Sequence, residues 1–188
     1  GRPAGTVRMR IVGGKYKGRR IAPPKGITAR PTTDFAKEAL FNILQHSIAL
    51  EGIRILDLFA GAGGISLEFL SRGAEEAISV ENDAALYGHL QRVRREFDIP
   101  NWHVVKADVF TYLNSDRSKY DLIFADPPFL LDGTERLATL VREREMLTPG
   151  GLLIIEHPRK TDLSGDPWFD HCRKYSNIHF SFFTPKTA

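Results

Sequence analysis

The sequence predicts an α/β fold: a mostly parallel sheet with helices on both faces, preceded by a small basic β-hairpin. Three observations predict it. Short apolar runs alternate five times with segments of helical periodicity, the pattern of strands joined by crossover helices. A glycine-rich turn, Ala60-Gly61-Ala62-Gly63-Gly64, lies between one such run and the helix after it. Acids stand at the ends of successive runs, at Glu81, Asp108 and Asp126, and Asp57 sits within the run before the glycine turn. Right-handed crossovers put the loops that follow the strands along one edge, so these residues share a cleft despite their separation in sequence.

The elements follow in order. Residues 8–12 and 19–22 read as short strands, with Gly13, Gly14 and Gly18 marking the turn between them. Pro23-Pro24-Lys25-Gly26 is a stiff exit from this hairpin. Thr33 or Asp34 caps a helix whose apolar residues Phe35, Ala36, Ala39, Leu40, Ile43 and Leu44 recur at helical spacing. Residues 53–59 (IRILDLF) form a strand, and residues 65–72 a helix ended by Gly73. Strand 77–80 ends in Glu81 and is followed by helix 84–97, whose Arg92, Arg94 and Arg95 read mainly as a solvated face. Strand 102–106 precedes Asp108, and strand 120–125 opens into Asp126-Pro127-Pro128-Phe129. Residues 133–146 read as a helix, 148–151 as a tight turn, and 152–156 as the fifth strand. Residues 170–175 and 178–183 form a closing hairpin around Ser176-Asn177.

Two motifs carry chemistry. In the first, strand, glycine turn and helix bring backbone and a helix N-terminus close to a ligand. Glu81, 24 residues after Asp57, is placed to accept from both hydroxyls of an adenosine ribose. Such a turn also serves nicotinamide or flavin dinucleotides. Asp57 argues against them, because a carboxylate beside a pyrophosphate is repulsive and one beside a cation is attractive. Asp108 adds an acceptor for an adenine amino group. Adenosine joined to a sulfonium, S-adenosylmethionine, fits this set, with S-adenosylhomocysteine as its product.

In the second motif, the prolines of Asp126-Pro127-Pro128-Phe129 fix the turn and remove two N–H donors, which frees local carbonyls. Asp126 supplies a carboxylate acceptor and Phe129 a flat apolar face. The set suits a planar base bearing an exocyclic amino group, although a tetrapeptide of this kind also serves as a plain strand-terminating turn.

Charge is lopsided. The chain of 188 residues has net charge +3, yet its first 33 residues hold nine basic residues and no acid, which leaves 17 basic against 23 acidic residues beyond them. Phosphate contacts are therefore expected on the hairpin, from Arg10, Lys15, Lys17, Arg19 and Arg20, with Tyr16 near its tip stacking on a base. The bland alternative is a solvated basic tail. A hydrophobic content of 42% and a single cysteine, Cys172, fit a soluble protein of a reducing cytoplasm. No apolar run approaches the ~20 residues needed to cross a bilayer, and no metal-ligand spacing is found. His157, after the fifth strand, is the histidine nearest the cleft and reads as structural. Residues 1–8 are read as a remnant of expression or a flexible lead-in, with Met9 as the natural start.

DLFAGAGGISLEFL, Glu81, Asp108 and ADPPF, in that order, resemble the class I S-adenosylmethionine-dependent methyltransferases that act on amino groups. RIVGGKYKGRRI (residues 10–21) and ARPTTDFAKEALFNIL (residues 29–44) resemble, more narrowly, the bacterial family that methylates guanine N2 in small-subunit ribosomal RNA. The resemblance implies a Rossmann-like sheet of seven strands with the last inserted antiparallel, an arm over residues 1–28 and a methyltransferase domain over 29–188. It implies cofactor contacts from Arg30, Thr32, Asp57, Phe59, Gly61, Gly63, Glu81, Asn82, Asp108, Val109 and Asp126, with residues 30–33 at the methionine end. Its catalytic set is Asp126, Pro127, Pro128 and Phe129. Its partner is ribosomal RNA or the assembling small subunit, met by a monomer without metal or membrane. The alternatives are a DNA adenine or cytosine amino-methyltransferase, a protein methyltransferase acting on a glutamine amide, and a non-catalytic RNA-binding module.

Overall fold

A computed structural model describes residues 9–24, 34–128 and 131–186. Two short strands, β1 (Met9–Arg10) and β2 (Arg20–Ile21), pair antiparallel ahead of helix α1 (Asp34–Ser47). The main run is β3 (Arg54–Leu58), α2 (Gly64–Ser71), β4 (Glu76–Glu81), α3 (Ala84–Phe97), β5 (Trp102–Lys106), α4 (Val109–Ser115), β6 (Tyr120–Ala125), α5 (Thr134–Glu143) and β7 (Leu147–Pro158). A hairpin of β8 (Phe169–Tyr175) and β9 (Ile178–Phe183) closes it.

The seven strands from β3 onward form one sheet in the order β5-β4-β3-β6-β7-β9-β8. All neighbours through β7 are parallel, and β9 lies antiparallel between β7 and β8. The chain moves outward from β3 to β5, then returns to lay β6 on the other flank of β3. The crevice over the C-terminal ends of β3 and β6 is thus the point where strand order reverses, which is where open α/β sheets hold ligands.

Both faces are covered because the central strands are apolar on both. Ile55, Leu122 and Ile154 pack with Leu40 and Phe41 of α1, Leu67 and Phe69 of α2, and Leu90 and Val93 of α3. Leu56, Ile123 and Ile155 pack on the other face against Val109 and Leu113 of α4 and Leu137 and Val141 of α5. Met9, Ile11 and Ile21 of the hairpin join the first of these cores.

Several local expectations need correction. Strands β1 and β2 are shorter than residues 8–12 and 19–22. Phe35 was expected on the apolar side of α1 but is 67% exposed. Residues 148–151 do not form a turn ahead of a strand. They bulge within β7, where Tyr120 pairs with Leu147 and Leu122 with Leu152, so four residues oppose the single Asp121. Asp121 holds the bulge by accepting from Thr148 Oγ1 at 2.9 Å, and its other oxygen accepts the Arg54 N–H at 2.8 Å. Helix α4 was not anticipated, because only Val109 and Leu113 of its seven residues are buried.

Candidate active site

The glycine turn is built by backbone conformations that most residues avoid. Phe59, the first residue after β3, has φ 58°, Gly61 57° and Gly63 89°. A non-glycine residue in the left-handed region costs about 1–3 kcal/mol, so Phe59 is strain held by its surroundings at the rim of the crevice. The turn is tied to β4 by Ala60 N–H donating to Val80 O at 3.0 Å, and it closes on itself through Gly63 N–H to Ala60 O at 3.0 Å.

Glu81 fastens the same turn. Its Oε1 accepts the Gly61 N–H at 2.9 Å and its Oε2 accepts the Asp83 N–H at 2.9 Å. A carboxylate offers about four lone-pair sites, so each oxygen keeps capacity for a further donor such as a ribose hydroxyl. Asn82 beside it is exposed. Asp83 caps α3 by accepting from Leu86 N–H at 2.9 Å.

The glycines of the turn differ in what a side chain would meet. A Cβ on Gly63 would lie 2.7 Å from Leu90 Cδ2 and 3.3 Å from Trp102, at a positive φ. A Cβ on Gly61 meets only Phe59 O, at 4.0 Å, and so points into open space. Both substitutions carry the strain of a positive φ and Gly63→Ala adds a steric clash, so Gly63→Ala is expected to lower Tm by several degrees more than Gly61→Ala and to abolish cofactor binding, whereas Gly61→Ala should weaken it. Calorimetric unfolding and cofactor titration of the two variants check this; equal losses of Tm would contradict it.

Asp57 does not line the crevice surface. It is 1% exposed, on the face of β3 that carries α2, and it accepts from Ser66 Oγ at 2.6 Å. Ser66 Oγ lies 2.5 Å from Ser79 Oγ, which accepts from Trp102 Nε1 at 2.9 Å. When Asp57 is ionised it only accepts, and the chain then runs in one direction, Trp102 to Ser79 to Ser66 to Asp57. Burial pushes the Asp57 pKa up to about 7; the Ser66 hydrogen bond opposes this, and the nearby charges of Asp126 and Glu81 add to it.

A carboxyl raised from 3.8 to about 7 keeps its proton in the fold while the unfolded chain loses it. Its contribution to stability is therefore largest below pH 4 and is lost as pH rises through 7. A cationic ligand in the crevice favours the ionised form. Cofactor binding at pH 7 is expected to release up to about half a proton from Asp57, and to release none at pH 9 or in Asp57→Asn. Titration calorimetry in two buffers of different ionisation enthalpy measures it; identical heats at pH 7 would contradict it.

Asp126 follows β6 directly and its N–H points at Leu58 O of β3, 3.4 Å away, which sets it against the glycine turn. It is half-buried, Pro127 is buried and Pro128 exposed. The carbonyls of this loop are not all free, as the sequence suggested: Pro128 O accepts the Leu131 N–H at 2.9 Å. Phe129, Arg30 and Thr32 lie outside the described residues. Asp108 is exposed and caps α4, its Oδ1 accepting from Thr111 N–H at 3.0 Å and Thr111 Oγ1 at 3.3 Å. Val109 buries its side chain in the core, and as the first residue of α4 its N–H has no partner within the helix. The four acids thus converge from β3, β4, β5 and β6 on one edge, with Asp57 beneath the turn rather than on it.

The hairpin differs from expectation. It is clamped by Glu68 of α2, a fully buried carboxylate that sequence reasoning passed over. Glu68 accepts the N–H groups of Val12 and Gly13, both at 2.9 Å, and meets Arg72 Nε at 2.9 Å and Lys37 Nζ at 3.5 Å. Ser71 holds the tip: its carbonyl accepts Lys15 N–H at 2.8 Å and its Oγ accepts Tyr16 N–H at 2.9 Å. Tyr16 is not a free aromatic. Its ring packs edge-on against Phe97 at 6.0 Å, with Arg19 over Phe97 at 3.8 Å. Arg10, Lys15, Lys17, Arg19 and Arg20 are all exposed. Because Ser71 and Phe97 end α2 and α3, the tip lies at the edge of the sheet away from the acids.

The open space over Gly61, the spare acceptor sites of Glu81 and a buried carboxyl with no cation beside it among the described residues fit a positively charged adenosine ligand. Among the described residues no group of His, Cys, Asp and Glu is placed to hold a metal ion, and no helix is long and apolar enough to cross a membrane.

Comparison with known proteins agrees with this geometry. Residues 9–184 match the family described as conserved hypothetical protein 95. The chain is 32% identical over 173 residues to ribosomal RNA small subunit methyltransferase D of Escherichia coli K12, covering 91% of this chain and 86% of that protein. The solved structure of the Escherichia coli protein yhhF superposes with a TM-score of 0.84 at 26% identity, covering 96% of this chain and 99% of that one. A Thermus thermophilus 16S rRNA N2 G1207 methyltransferase, solved with AdoMet and guanosine, shares the fold with a TM-score of 0.77 at 23% identity, covering 97% of this chain and 50% of that one. The chain therefore belongs to the family described as conserved hypothetical protein 95 and to the class I, Rossmann-like methyltransferases, with bacterial ribosomal RNA small subunit methyltransferase D among its relatives.

Proposed function

We propose that this protein transfers a methyl group from S-adenosylmethionine to the exocyclic N2 of a guanine in small-subunit ribosomal RNA. The observation that supports the reading is the contact of Asp126 N–H with Leu58 O, which brings the backbone of the residue proposed to orient the amine to the end of β3, beside the glycine turn. Similarity to a ribosomal RNA small subunit methyltransferase supports the substrate class.

The cofactor, when bound, supplies a methyl group activated by its sulfonium. Gly61, Glu81 and Asp108 would hold its adenosine portion, and residues 30–33 its methionine end. Asp126 has the remaining task. The lone pair of guanine N2 is delocalised into the ring, so the amine is a weak nucleophile. Hydrogen bonds from the amino group to Asp126 and to the Pro127 carbonyl turn it and direct that pair toward the methyl carbon. Positioning alone supplies on the order of 7–11 kcal/mol in favourable intramolecular reactions. Positive charge then grows on nitrogen, and the Asp126 carboxylate stabilises it. The proton leaves to Asp126 or to water. Phe129 would stack on the target base, which must be unpaired to enter.

Exposed cations on the hairpin support RNA as partner. Their tip lies away from the catalytic edge, so they would grip structure flanking the target rather than the target itself. Incubating the protein with methyl-labelled S-adenosylmethionine and, separately, ribosomal RNA, small subunits, duplex DNA or protein tests the substrate class. Label is expected in the RNA of the first two; label confined to DNA or protein would overturn the reading.

A further inference from the structure

The edge that bears Asp126 carries a second concave feature, beyond β7. His157 pairs with His179, Ile155 with Ser181, and Lys174 with His179, so all these side chains share the face that carries α4 and α5. Together with the segment after β7 they line a cleft, open to solvent, of about 590 Å³, ample for the phosphate and sugar of a nucleotide. Ala125 of β6 pairs with Ile155 of β7, so β9 is two strands from the Asp126 turn, or about 10 Å at the usual strand spacing.

The lining has the chemistry of an anion site. Arg159 and Lys174 are exposed cations, and the one carboxylate among the described lining residues, Asp162, accepts the Ser164 N–H through Oδ1 at 2.9 Å, so two cations face one anion. His179 is 6% exposed and lines the cleft, yet its ring takes no hydrogen bond from the described residues. Burial lowers its pKa, and His157, Lys174 and Arg159 lower it further; Lys174 is its partner across β8 and β9, and Arg159 lines the same cleft. The wall behind is fixed and neutral. His157 Nδ1 faces Pro158 O at 2.9 Å and must donate to it, so Nε2 accepts from Ser181 Oγ at 2.6 Å.

We propose that this cleft binds a backbone phosphate of the substrate RNA, a few nucleotides from the base held at Asp126. Arg159, Lys174 and the His179 ring supply the donors. The proposal rests on the RNA methyltransferase reading above. A span of about 10 Å corresponds to about three nucleotides of a stacked strand, and fewer of an extended one. The site also supplies what the hairpin tip, at the opposite edge, does not: a cationic hold beside the reacting base.

The test compares wild type with Arg159→Gln/Lys174→Gln and with His179→Gln, using small subunits from cells that lack the modification. The double variant is expected to raise KM for subunits about tenfold and to make the dependence of log kcat/KM on log salt shallower by about 1. Its kcat and its affinity for S-adenosylhomocysteine should not change. An unchanged KM and salt slope, with wild type turning over, overturns the proposal alone. If wild type transfers no methyl to the RNA, the functional reading itself has failed and this site falls with it. Imidazole NMR separates the phosphate sources. A short single-stranded RNA should shift the His179 resonances where inorganic phosphate at equal phosphate concentration does not; equal shifts would mark a free-anion site and overturn the RNA assignment.

Discussion

Replacing Asp126 by alanine is expected to slow methyl transfer by about 10²-fold or more while leaving cofactor affinity near normal, since Asp126 is one of many implied cofactor contacts. The asymmetry follows from where the residue stands. Its backbone is tied to Leu58 at the end of β3, so the turn remains in place when the side chain is removed. The cofactor contacts assigned to Gly61, Glu81 and Asp108 come from other strands. What disappears is the acceptor that turns the target amine and the charge that offsets the cation forming on nitrogen. Single-turnover kinetics with saturating cofactor isolates that step. Asp126→Asn keeps an acceptor without the charge and should fall between the two. Wild-type turnover in Asp126→Ala would remove the residue from the mechanism.

The second large effect is on stability. Glu68→Ala is expected to destabilise the fold by about 3–5 kcal/mol, because it leaves buried partners without their counter-charge. Lys37, 3% exposed, loses its carboxylate while keeping its bond to Arg10 O, and the N–H groups of Val12 and Gly13 lose their acceptor at the same time. Against a typical total of about 5–15 kcal/mol this is a large fraction, and it corresponds to a Tm lower by about 10 °C in a domain of this size. The amides of residues 10–21 should also exchange faster than those of β3 or β6, since the hairpin is held to α2 chiefly through this carboxylate and Ser71. A Tm within about 2 °C of wild type would show that the hairpin is held by its apolar residues alone.

The fold was legible where periodicity was strong. Helix α3 and strands β5 and β6 fall on the residues that the apolar pattern marks, and the acids at the strand ends converge as the parallel topology requires. Helix α4 was not legible, because a helix with two buried positions has no stripe to detect. Its one signal is Asp108 three residues before Thr111, an N-cap pattern that reads equally well as a ligand-binding acid. The bulge at 148–151 reads as a turn because proline and glycine mark both.

Glu68 was missed because a charged residue in a helix ordinarily faces water. The signal was present in its neighbours. Leu67, Phe69 and Leu70 flank it, and every residue from Ile65 to Ser71 is buried, so α2 has no solvent face for a carboxylate to occupy. A charge in such a helix must be paired, and Arg72 one turn later is the nearby cation. Tyr16 was misjudged for the converse reason. An aromatic near a hairpin tip reads as exposed, and its partner Phe97 comes from the far end of α3, which no local pattern links to it.

The central claim is that one crevice joins a sulfonium donor's pocket to a turn that orients an amine. Its most direct test is chemical identification of the product. Small subunits lacking the modification are incubated with the protein and methyl-labelled S-adenosylmethionine, and the RNA is digested to nucleosides and resolved by mass. The account predicts the label in N2-methylguanosine, and its disappearance in Asp126→Ala. Label on a ring carbon or a ribose hydroxyl, with the same yield from Asp126→Ala, would contradict it.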